Sequence, residues 1–241
     1  MTTLQALIFD VDGTLADTER DGHRIAFNLA FEEAGLPWNW DVALYGELLA
    51  VTGGKERMTF YAEHHAPELL AKPGFDNLIR KLHTLKTQHY VHLVQAGRLP
   101  LRPGVARLIL SARAEGIKLA IATTTSPENV AALLRACLGH DAEKWFAVIG
   151  AGDIVPAKKP APDIYHWVLE RLGIPAANCL ALEDSENGLK ASLGAGIPTV
   201  VTENAYTSGQ DFAGALAVLP DLNATGFADL RSLFEKSLSS A

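Results

Sequence analysis

Short apolar runs that end at glycine or polar residues recur along the chain, and segments with apolar residues at helical spacing separate them. The runs have the length of buried strands, and the spaced segments have the length of helices. The predicted strands are residues 4–9, 118–122, 147–150, 179–182 and 199–201, and the predicted helices among them are 105–115, 128–136, 163–172 and 188–194. This alternation predicts an α/β fold with a doubly wound parallel sheet and right-handed crossovers.

The segment between the first two predicted strands differs, because it contains helical spacing only. Helices are predicted at residues 25–34, 42–51, 58–65, 75–85 and 90–95, and Thr18-Glu19-Arg20-Asp21 has the form of a capping box before the first of them. A module of roughly eighty residues has the size of a small domain. We therefore predict a Rossmann-like core of residues 1–16 and 98–241, interrupted by an all-helical cap of residues 17–97. Within the cap, Trp38 and Trp40 are predicted packing residues.

Composition and charge exclude several classes of partner. Hydrophobic residues make up 48% of the 241 residues, and the net charge of −7 argues against nucleic acid or an anionic membrane as the main partner. The sequence shows no basic-then-apolar leader and no apolar run of membrane length. Cys137 and Cys179 lack Cys-x-x-Cys spacing, so we expect free thiols in a reducing compartment. We expect a soluble cytoplasmic protein that acts as a monomer.

Two aspartates follow the first predicted strand. Asp10 and Asp12 have the strand's period of two and leave it on the same face, and Gly13 allows the backbone to turn away. Such a pair binds a hard cation such as Mg²⁺, or it separates into one ionised and one protonated acid. The same residues are equally compatible with an ordinary polar turn, so the rest of the chain has to decide.

Polar groups also follow the other predicted strands. Thr123 and Thr124 follow the second strand, Lys159 lies in the loop after the third, and Glu183 and Asp184 follow the fourth. Because parallel strands place their carboxyl ends at one edge of a sheet, these groups are expected to converge with the two aspartates. Phosphoryl transfer requires a metal to neutralise the phosphate, a nucleophile, and donors for the phosphoryl oxygens. The groups expected at this sheet edge include residue types suited to each of these three tasks.

The ordered motifs resemble those of the haloacid-dehalogenase-superfamily phosphohydrolases. The matching segments are Asp10-Val11-Asp12-Gly13-Thr14, Thr123, Lys159-Pro160 and Glu183-Asp184, and the helical insertion resembles that superfamily's cap. More narrowly, the chain resembles the CbbY-type sugar-bisphosphate phosphatases over Thr52-Gly53-Gly54-Lys55-Glu56-Arg57, Leu101-Arg102-Pro103-Gly104, Thr123-Thr124-Thr125-Ser126-Pro127, Lys159-Pro160-Ala161-Pro162-Asp163 and Leu182-Glu183-Asp184-Ser185. The resemblance spans nearly the whole chain.

The resemblance implies a role for each group at the sheet edge. Asp10 is expected to be the nucleophile that forms an aspartyl-phosphate, and Asp12 the general acid and base, with a pKa raised towards neutrality. Thr123 is expected to hold phosphoryl oxygens, and Lys159 to neutralise developing charge. Mg²⁺ is expected to be held by the carboxylates of Asp10, Asp184 and Glu183 and by the backbone carbonyl of Asp12.

The cap is expected to supply specificity through a second phosphate seat. Thr52, Gly53, Gly54, Lys55 and Arg57 combine two glycine amides with two cations in a short segment. The alternative is a helix-capping turn with solvated charges.

Further substrate contacts are expected near the hinge and on the cap. Asp17 and His23 are candidates for substrate hydroxyls, with helix initiation the alternative for Asp17 and a surface position the alternative for His23. The segment from Asp17 to His23 is one residue longer than the spacing that is commoner in the proteins that the chain resembles. The remaining candidates are Lys86, Arg98, Thr124 and Thr125.

The leading hypothesis is a Mg²⁺-dependent phosphatase that removes one phosphate from a small sugar bisphosphate, by resemblance xylulose-1,5-bisphosphate. A β-phosphoglucomutase-like isomerase is the alternative, since it would return the phosphoryl group of the same intermediate to a sugar. Thr14 favours the phosphatase, because such mutases commonly carry an apolar residue there. A signalling receiver domain also combines Asp, Thr and Lys with Mg²⁺, but it lacks a cap. The sequence has the expected residue at every catalytic position, which argues against a degenerate homologue that only binds a ligand.

Overall fold

The fold is that of a computed structural model, which describes residues 3–239. The six strands form one sheet in the order β3-β2-β1-β4-β5-β6, and every neighbouring pair is parallel. They are β1 (Ala6–Phe9), β2 (Lys118–Ala122), β3 (Phe146–Gly150), β4 (Cys179–Glu183), β5 (Thr199–Thr202) and β6 (Ala217–Leu219). The predicted doubly wound α/β class is confirmed. Residues 1, 2, 240 and 241, which the predicted core includes, lie outside the described residues.

Helices cover both faces of this sheet. They are α6 (Val105–Ala114), α7 (Pro127–Leu138), α8 (Asp163–Leu172), α9 (Glu186–Gly194) and α10 (Phe227–Ser239). Leu7 and Phe9 belong to the apolar cluster on one face, whereas Ala6 and Ile8 belong to the cluster on the other. Strand side chains alternate between faces, so both faces of β1 are buried and the whole run is apolar. The sequence prediction omits β6 and α10.

A group of helices lies between β1 and β2 in the chain. A π-helical turn (Glu19–His23) is followed by α1 (Arg24–Glu33), α2 (Val42–Leu48), α3 (Gly54–His65), α4 (Pro67–Leu70) and α5 (Phe75–Gln95). These helices enclose an apolar cluster of their own, which includes Phe27, Phe31, Trp38 and Trp40. The packing role predicted for the two tryptophans is confirmed. Because the insertion has its own apolar cluster, its helices can pack on one another next to the sheet.

Two local predictions for this helical insertion are wrong. The segment predicted as two helices is the single 21-residue helix α5. Leu82, Lys86 and Tyr90 are buried at helical spacing through the predicted gap, which contains no helix breaker. The capping box is also absent, since the Thr18 backbone is helical and its side chain caps no helix N–H. The Thr18 hydroxyl instead donates to Asp12 Oδ1 at 2.5 Å.

The two segments that join the helical insertion to the sheet run side by side. Ala16 and Leu101 form an antiparallel bridge, and the backbone N–H of Arg102 donates to the carbonyl of Leu15 at 2.8 Å. The buried Arg102 guanidinium donates to the carbonyls of Gly13, Thr202, Glu203 and Pro220. Arg102 therefore ties the second connecting segment to the turn after β1 and to the strands beyond it.

Over residues 3–239, no helix combines the length and the apolar character needed to span a membrane. Cys137 and Cys179 are both free, as predicted.

Candidate active site

A lysine lies between two carboxylates at the carboxyl edge of the sheet. Lys159 Nζ donates to Asp10 Oδ1 at 2.7 Å and to Glu183 Oε1 at 2.6 Å. The backbone N–H of Asp10 donates to the carbonyl of Leu182 at 3.0 Å, which holds the ends of β1 and β4 in register. Thr123 is buried at the end of β2, on the opposite side of β1. The structure thus brings the predicted strand ends together.

Three carboxylates at this edge are close enough to share a cation. One oxygen from each of Asp10, Glu183 and Asp184 lies within 4.8 Å of the others, and all three residues are buried. Asn204 orients Asp184, because its Nδ2 donates to Asp184 Oδ2 at 2.7 Å. Glu183 Oε2 has no hydrogen-bond partner within residues 3–239. Hard divalent cations take carboxylate oxygens as ligands, so this cluster fits one.

The turn after Asp12 makes room for the cluster. Gly13 has a φ of +84°, and a Cβ at this position would lie 2.1 Å from Asp184 Oδ2. Glycine alone combines this left-handed conformation with the missing side chain. The prediction that the backbone turns away at Gly13 is confirmed, and the reason includes the space that Asp184 occupies.

Burial and like charge perturb the carboxyl groups of the cluster. Burial raises the pKa of Asp10 to about 7, with the charges of Glu183 and Asp12 adding to it and Lys159 opposing it. Burial and the neighbouring charges of Asp10 and Glu183 hold the pKa of Asp184 well above its ordinary value. Burial lowers the pKa of Lys159, but the two carboxylates that it contacts outweigh this effect and raise it above its ordinary value. A cation at the cluster would favour the ionised carboxylates.

The pKa of Asp12 shifts in the direction opposite to the prediction. Burial raises it, but the charge of His23 and the hydrogen bonds from His23 and Thr18 outweigh burial and lower the pKa to about 2. His23 Nε2 lies 2.8 Å from Asp12 Oδ1. The expected order of the two aspartates is therefore wrong for the protein without a bound phosphate: Asp12 is the stronger acid and Asp10 the weaker.

The raised pKa of Asp10 predicts a pH-dependent stability for the metal-free protein. An unfolded aspartate has a pKa near 3.9, so this group contributes stability that is fully present below about pH 4 and is lost as pH rises through about 7. The Asp10→Asn variant lacks this titration. In EDTA, we expect the Tm of Asp10→Asn minus that of the wild type to increase by at least about 3 °C between pH 4 and pH 7.5.

Thermal unfolding of the two proteins across this pH range, each with and without Mg²⁺, measures the effect. Excess Mg²⁺ is expected to reduce the difference at pH 7.5, because the cation stabilises the ionised carboxylate of the wild type. A Tm difference that stays constant from pH 4 to pH 7.5 in EDTA would contradict the prediction.

His23 reaches the site because the chain before it forms a π-helical turn. Such a turn accommodates one residue more than an α-helical turn. The longer segment between Asp17 and His23 therefore has a local structural explanation, the turn Glu19–His23. The His23 ring is buried and stacks on Tyr90 with the ring centroids 4.2 Å apart. The structure thus excludes the surface position considered for His23.

A cavity of about 270 Å³ lies between the sheet edge and the helical insertion. Asp10, Thr123, Thr124 and Lys159 line it from the sheet edge. Thr52 and Arg57 line it from the insertion, and Thr52 Oγ1 accepts a hydrogen bond from Asn187 Nδ2 at 3.2 Å. A small phosphorylated molecule in this cavity would contact both parts of the protein.

Two buried cations of the helical insertion face this region. Arg57 Nη1 donates to the Tyr45 hydroxyl at 2.9 Å and Nε to the carbonyl of Leu48 at 3.2 Å, while Nη2 makes no hydrogen bond within residues 3–239. Lys86 is 4% exposed and lines a smaller adjoining cavity of about 30 Å³ with Asp12 and Arg57. Burial lowers the pKa of Lys86 to about 8. Arg57 Nη1 also lies 3.8 Å from Glu19 Oε2, which pairs it with a carboxylate of the insertion. An anionic group in these cavities would add acceptors beside both cations.

Lys55, the third candidate cation, has a partner elsewhere. Its Nζ forms a salt bridge with Asp153, which also accepts from Lys158 Nζ at 2.5 Å. Lys55 does not line the cavity above Asp10 but a neighbouring one of about 200 Å³. The predicted loop is short because α3 begins at Gly54, so Arg57 lies in the first helical turn. Residues two positions apart on a helix point in different directions, which separates Lys55 from Arg57.

Several predicted contacts lie away from the cavity above Asp10. Asp17 is exposed, and its carboxylate lies 3.3 Å from Arg102 Nε. Thr125 is buried and accepts from Asn129 Nδ2 at 3.0 Å. Arg98 is exposed, and Gly53 and Gly54 line the two smaller cavities.

The loop after β5 completes the cavity, and sequence reasoning missed it. Asn204, Tyr206, Thr207 and Gln210 line the cavity together with Glu19. The signal for the loop was available, because polar residues after β5 must lie at the same sheet edge as those after β1, β2 and β4. The sequence predicts Glu19 only as part of a capping box, which gives no indication of its place at the cavity.

The sheet, the acidic cluster with its lysine, and the helical insertion above them define a phosphoric monoester hydrolase. A family model for haloacid dehalogenase-like hydrolases matches residues 4–196. The chain belongs to the haloacid dehalogenase-like hydrolase family, and the predicted superfamily is confirmed.

Within that family the chain is similar to CbbY proteins. It is 55% identical over 219 residues to the plasmid CbbY protein of Cupriavidus necator, covering 91% of this chain and 86% of the relative. The crystal structure of Rhodobacter sphaeroides CbbY with phosphate is 47% identical, covers 95% of this chain and 99% of its own, and has a TM-score of 0.87. A mutant of that protein in complex with xylulose-1,5-bisphosphate is 46% identical, with the same coverage and TM-score. The CbbY-type resemblance is confirmed, and the relatives support a sugar phosphatase.

Proposed function

We propose that this protein is a Mg²⁺-dependent phosphatase that removes one phosphate from a small sugar bisphosphate through an aspartyl-phosphate. One observation carries the proposal: Asp10 lines the cavity beside Lys159, at the acidic cluster and across from the insertion's buried cations. The similarity to a CbbY structure that holds xylulose-1,5-bisphosphate makes that compound the first candidate substrate.

In the proposed reaction, the Asp10 carboxylate attacks the phosphorus and the bond to the sugar oxygen breaks. An aspartyl-phosphate forms on Asp10. Water then attacks the same phosphorus, the phosphorus–oxygen bond to Asp10 breaks, and inorganic phosphate and the free Asp10 carboxylate result. Lys159, whose Nζ lies 2.7 Å from Asp10 Oδ1, neutralises charge on Asp10 and on the transferred group. The Thr123 hydroxyl and the backbone amides that follow it donate to the phosphoryl oxygens.

Asp12 is proposed to move the protons. Its Oδ1 is held by Thr18 and His23, whereas its Oδ2 makes no hydrogen bond within residues 3–239. A phosphate dianion beside Asp12 raises its pKa, because like charge disfavours ionisation. Substrate binding therefore prepares Asp12 to give a proton to the leaving oxygen, and the ionised carboxylate afterwards takes a proton from the attacking water.

Mg²⁺ is proposed to bind the carboxylates of Asp10, Glu183 and Asp184 and the backbone carbonyl of Asp12. When bound, it neutralises the phosphate and favours the ionised nucleophile at neutral pH. The unpartnered Glu183 Oε2 and the 4.8 Å grouping of the three carboxylates support this assignment.

Removal of divalent cations is expected to abolish phosphate release. Treatment with EDTA followed by gel filtration should lower the rate by at least about 100-fold, because the acidic cluster then repels the substrate phosphate. Addition of Mg²⁺ should restore the rate, and Ca²⁺ should restore less, since it prefers more ligands at longer distances. A metal-free protein that retains its full rate would contradict the metal assignment.

The distal phosphate is proposed to bind Arg57 and Lys86. Both are cations buried in the helical insertion, and both line the small cavity beside Asp12. Glu19, 3.8 Å from Arg57 Nη1, balances part of this positive charge. We propose that residues 17–97 act as a cap on the core and hinge near residues 16–18 and 97–103. Contact between the distal phosphate and the cap then supplies free energy for closure over Asp10.

Phosphate release from a panel of sugar monophosphates and bisphosphates in Mg²⁺ tests the proposed function. We expect bisphosphates, with xylulose-1,5-bisphosphate among them, to give the highest kcat/KM. A parallel assay for isomerisation of glucose 1-phosphate tests the mutase alternative. Isomerisation faster than phosphate release would overturn the phosphatase assignment, and a lack of both activities would indicate a binding protein.

A further inference from the structure

A buried tyrosine outside every predicted motif contacts the acidic cluster. Tyr165 lies on α8 and is completely buried. Its hydroxyl donates to Glu183 Oε1, the same oxygen that accepts from Lys159 Nζ at 2.6 Å. Lys159 Nζ also lies 5.3 Å from the centroid of the Tyr165 ring. Tyr165 therefore contacts both partners of the ion pair beside Asp10.

Glu183 depends on these donors for its orientation. Its Oε1 accepts two hydrogen bonds, whereas its Oε2 accepts none within residues 3–239. On the Oε2 side lies Gly188, where a Cβ would come within 1.9 Å of that oxygen. The space at Gly188 lets the carboxylate enter this position, and the Tyr165 hydroxyl is one of the two groups that keep it there.

We propose that Tyr165 is a positioning residue that orients Glu183, so that Glu183 holds Lys159 against Asp10. The proposal rests on the proposed phosphatase function, in which Lys159 neutralises the reacting groups. A neutral hydroxyl is suited to this role, because a second cation would compete with Lys159 for the same carboxylate. Without the hydroxyl, Glu183 Oε1 keeps only Lys159, and the pair is free to move away from Asp10.

Tyr165→Phe tests the proposal, because it removes the hydroxyl and keeps the buried ring. We expect a decrease of about 10-fold or more in kcat, because Lys159 then no longer stays against Asp10. We expect that decrease on bisphosphates and small aryl phosphates alike, with KM changed by less than about twofold. Tyr61→Phe, a matched change on α3 outside the cavity above Asp10, should retain the wild-type kcat.

A double variant separates positioning from general packing. If Tyr165 acts through Glu183, adding Tyr165→Phe to Glu183→Gln should lower the single-turnover rate by less than about twofold further. Multiplication of the two single effects would overturn the proposal, as would a Tyr165→Phe variant with wild-type kcat.

Crystal structures provide a readout that does not depend on the proposed reaction. In Tyr165→Phe we expect the distance from Lys159 Nζ to Asp10 Oδ1 to exceed hydrogen-bond range, whereas Tyr61→Phe should keep it near 2.7 Å. An unchanged distance in Tyr165→Phe would overturn the positioning role even if the phosphatase function holds. A lost contact would support it even if the reaction proves to be a different one.

Discussion

Replacing Asp10 by Asn is expected to lower turnover by on the order of 10⁴-fold or more on every phosphate ester. The amide nitrogen and oxygen of asparagine are poor nucleophiles for phosphorus, so no acyl phosphate forms. The fold should persist, because the variant keeps the side-chain shape and removes a carboxyl group whose pKa burial raises to about 7. Steady-state phosphate release and circular dichroism of the two proteins measure these effects.

Labelling tests the nucleophile more directly than the rate does. Wild-type protein quenched in acid during turnover of a ³²P-labelled ester should carry label that hydroxylamine removes, as expected for an acyl phosphate. Asp10→Asn should carry none. Asp17→Asn is the matched control, because it makes the same change in an exposed aspartate paired with Arg102, and its turnover should stay within about threefold of the wild type. Label retained by Asp10→Asn would contradict the assignment.

Replacing Arg57 by Met is expected to lower kcat/KM for bisphosphates by at least about 30-fold. Truncating one partner of a buried charged hydrogen bond costs about 2–5 kcal/mol, and the lower value corresponds to that factor. A small aryl phosphate lacks the distal group, so its kcat/KM should change by less than about threefold. Comparison of the two substrates distinguishes loss of a phosphate seat from damage to the reacting groups.

Lys55→Met is the matched control for Arg57→Met, since both remove a cation from the same helix. Lys55 is partly exposed and is paired with Asp153, and exposed ion pairs contribute little. We expect less than about fivefold loss on bisphosphates. Equal losses on bisphosphates and aryl phosphates in Arg57→Met would exclude a distal phosphate seat there. A larger bisphosphate loss in Lys55→Met than in Arg57→Met would place the seat at Lys55 instead.

The sheet and the strand ends could be predicted because they depend on local patterns. The apolar run before Asp10 and the runs before Thr123 and Glu183 each end at a polar group, and parallel strands end at a common edge. Lys159 followed from the same reasoning, because its loop leaves a predicted strand. The residue types, their order and a geometric rule were sufficient for these four positions.

Contacts from the helical insertion were harder to predict, because they depend on the direction in which each side chain leaves its helix. Lys55 and Arg57 are two residues apart, yet Lys55 pairs with Asp153 and Arg57 lines the cavity above Asp10. His23 reaches Asp12 only through a π-helical turn, which no propensity rule indicates. One residue more or less in a turn changes which side chain faces the site.

By itself, the sequence determined the fold class, the helical insertion and the convergence of Asp10, Thr123, Lys159 and Asp184, because hydrophobic periodicity and strand direction are local properties. Only the tertiary structure decided the order of the pKa values of the two aspartates and the contact between Tyr165 and Glu183. The pKa of Asp10 depends on burial and on charges from β4, and that of Asp12 on a histidine from the insertion. Tyr165 and Glu183 meet through the packing of α8 against the sheet. The pKa order and the Tyr165 contact both depend on residues that are separated in sequence, and no pattern along the chain predicts such contacts.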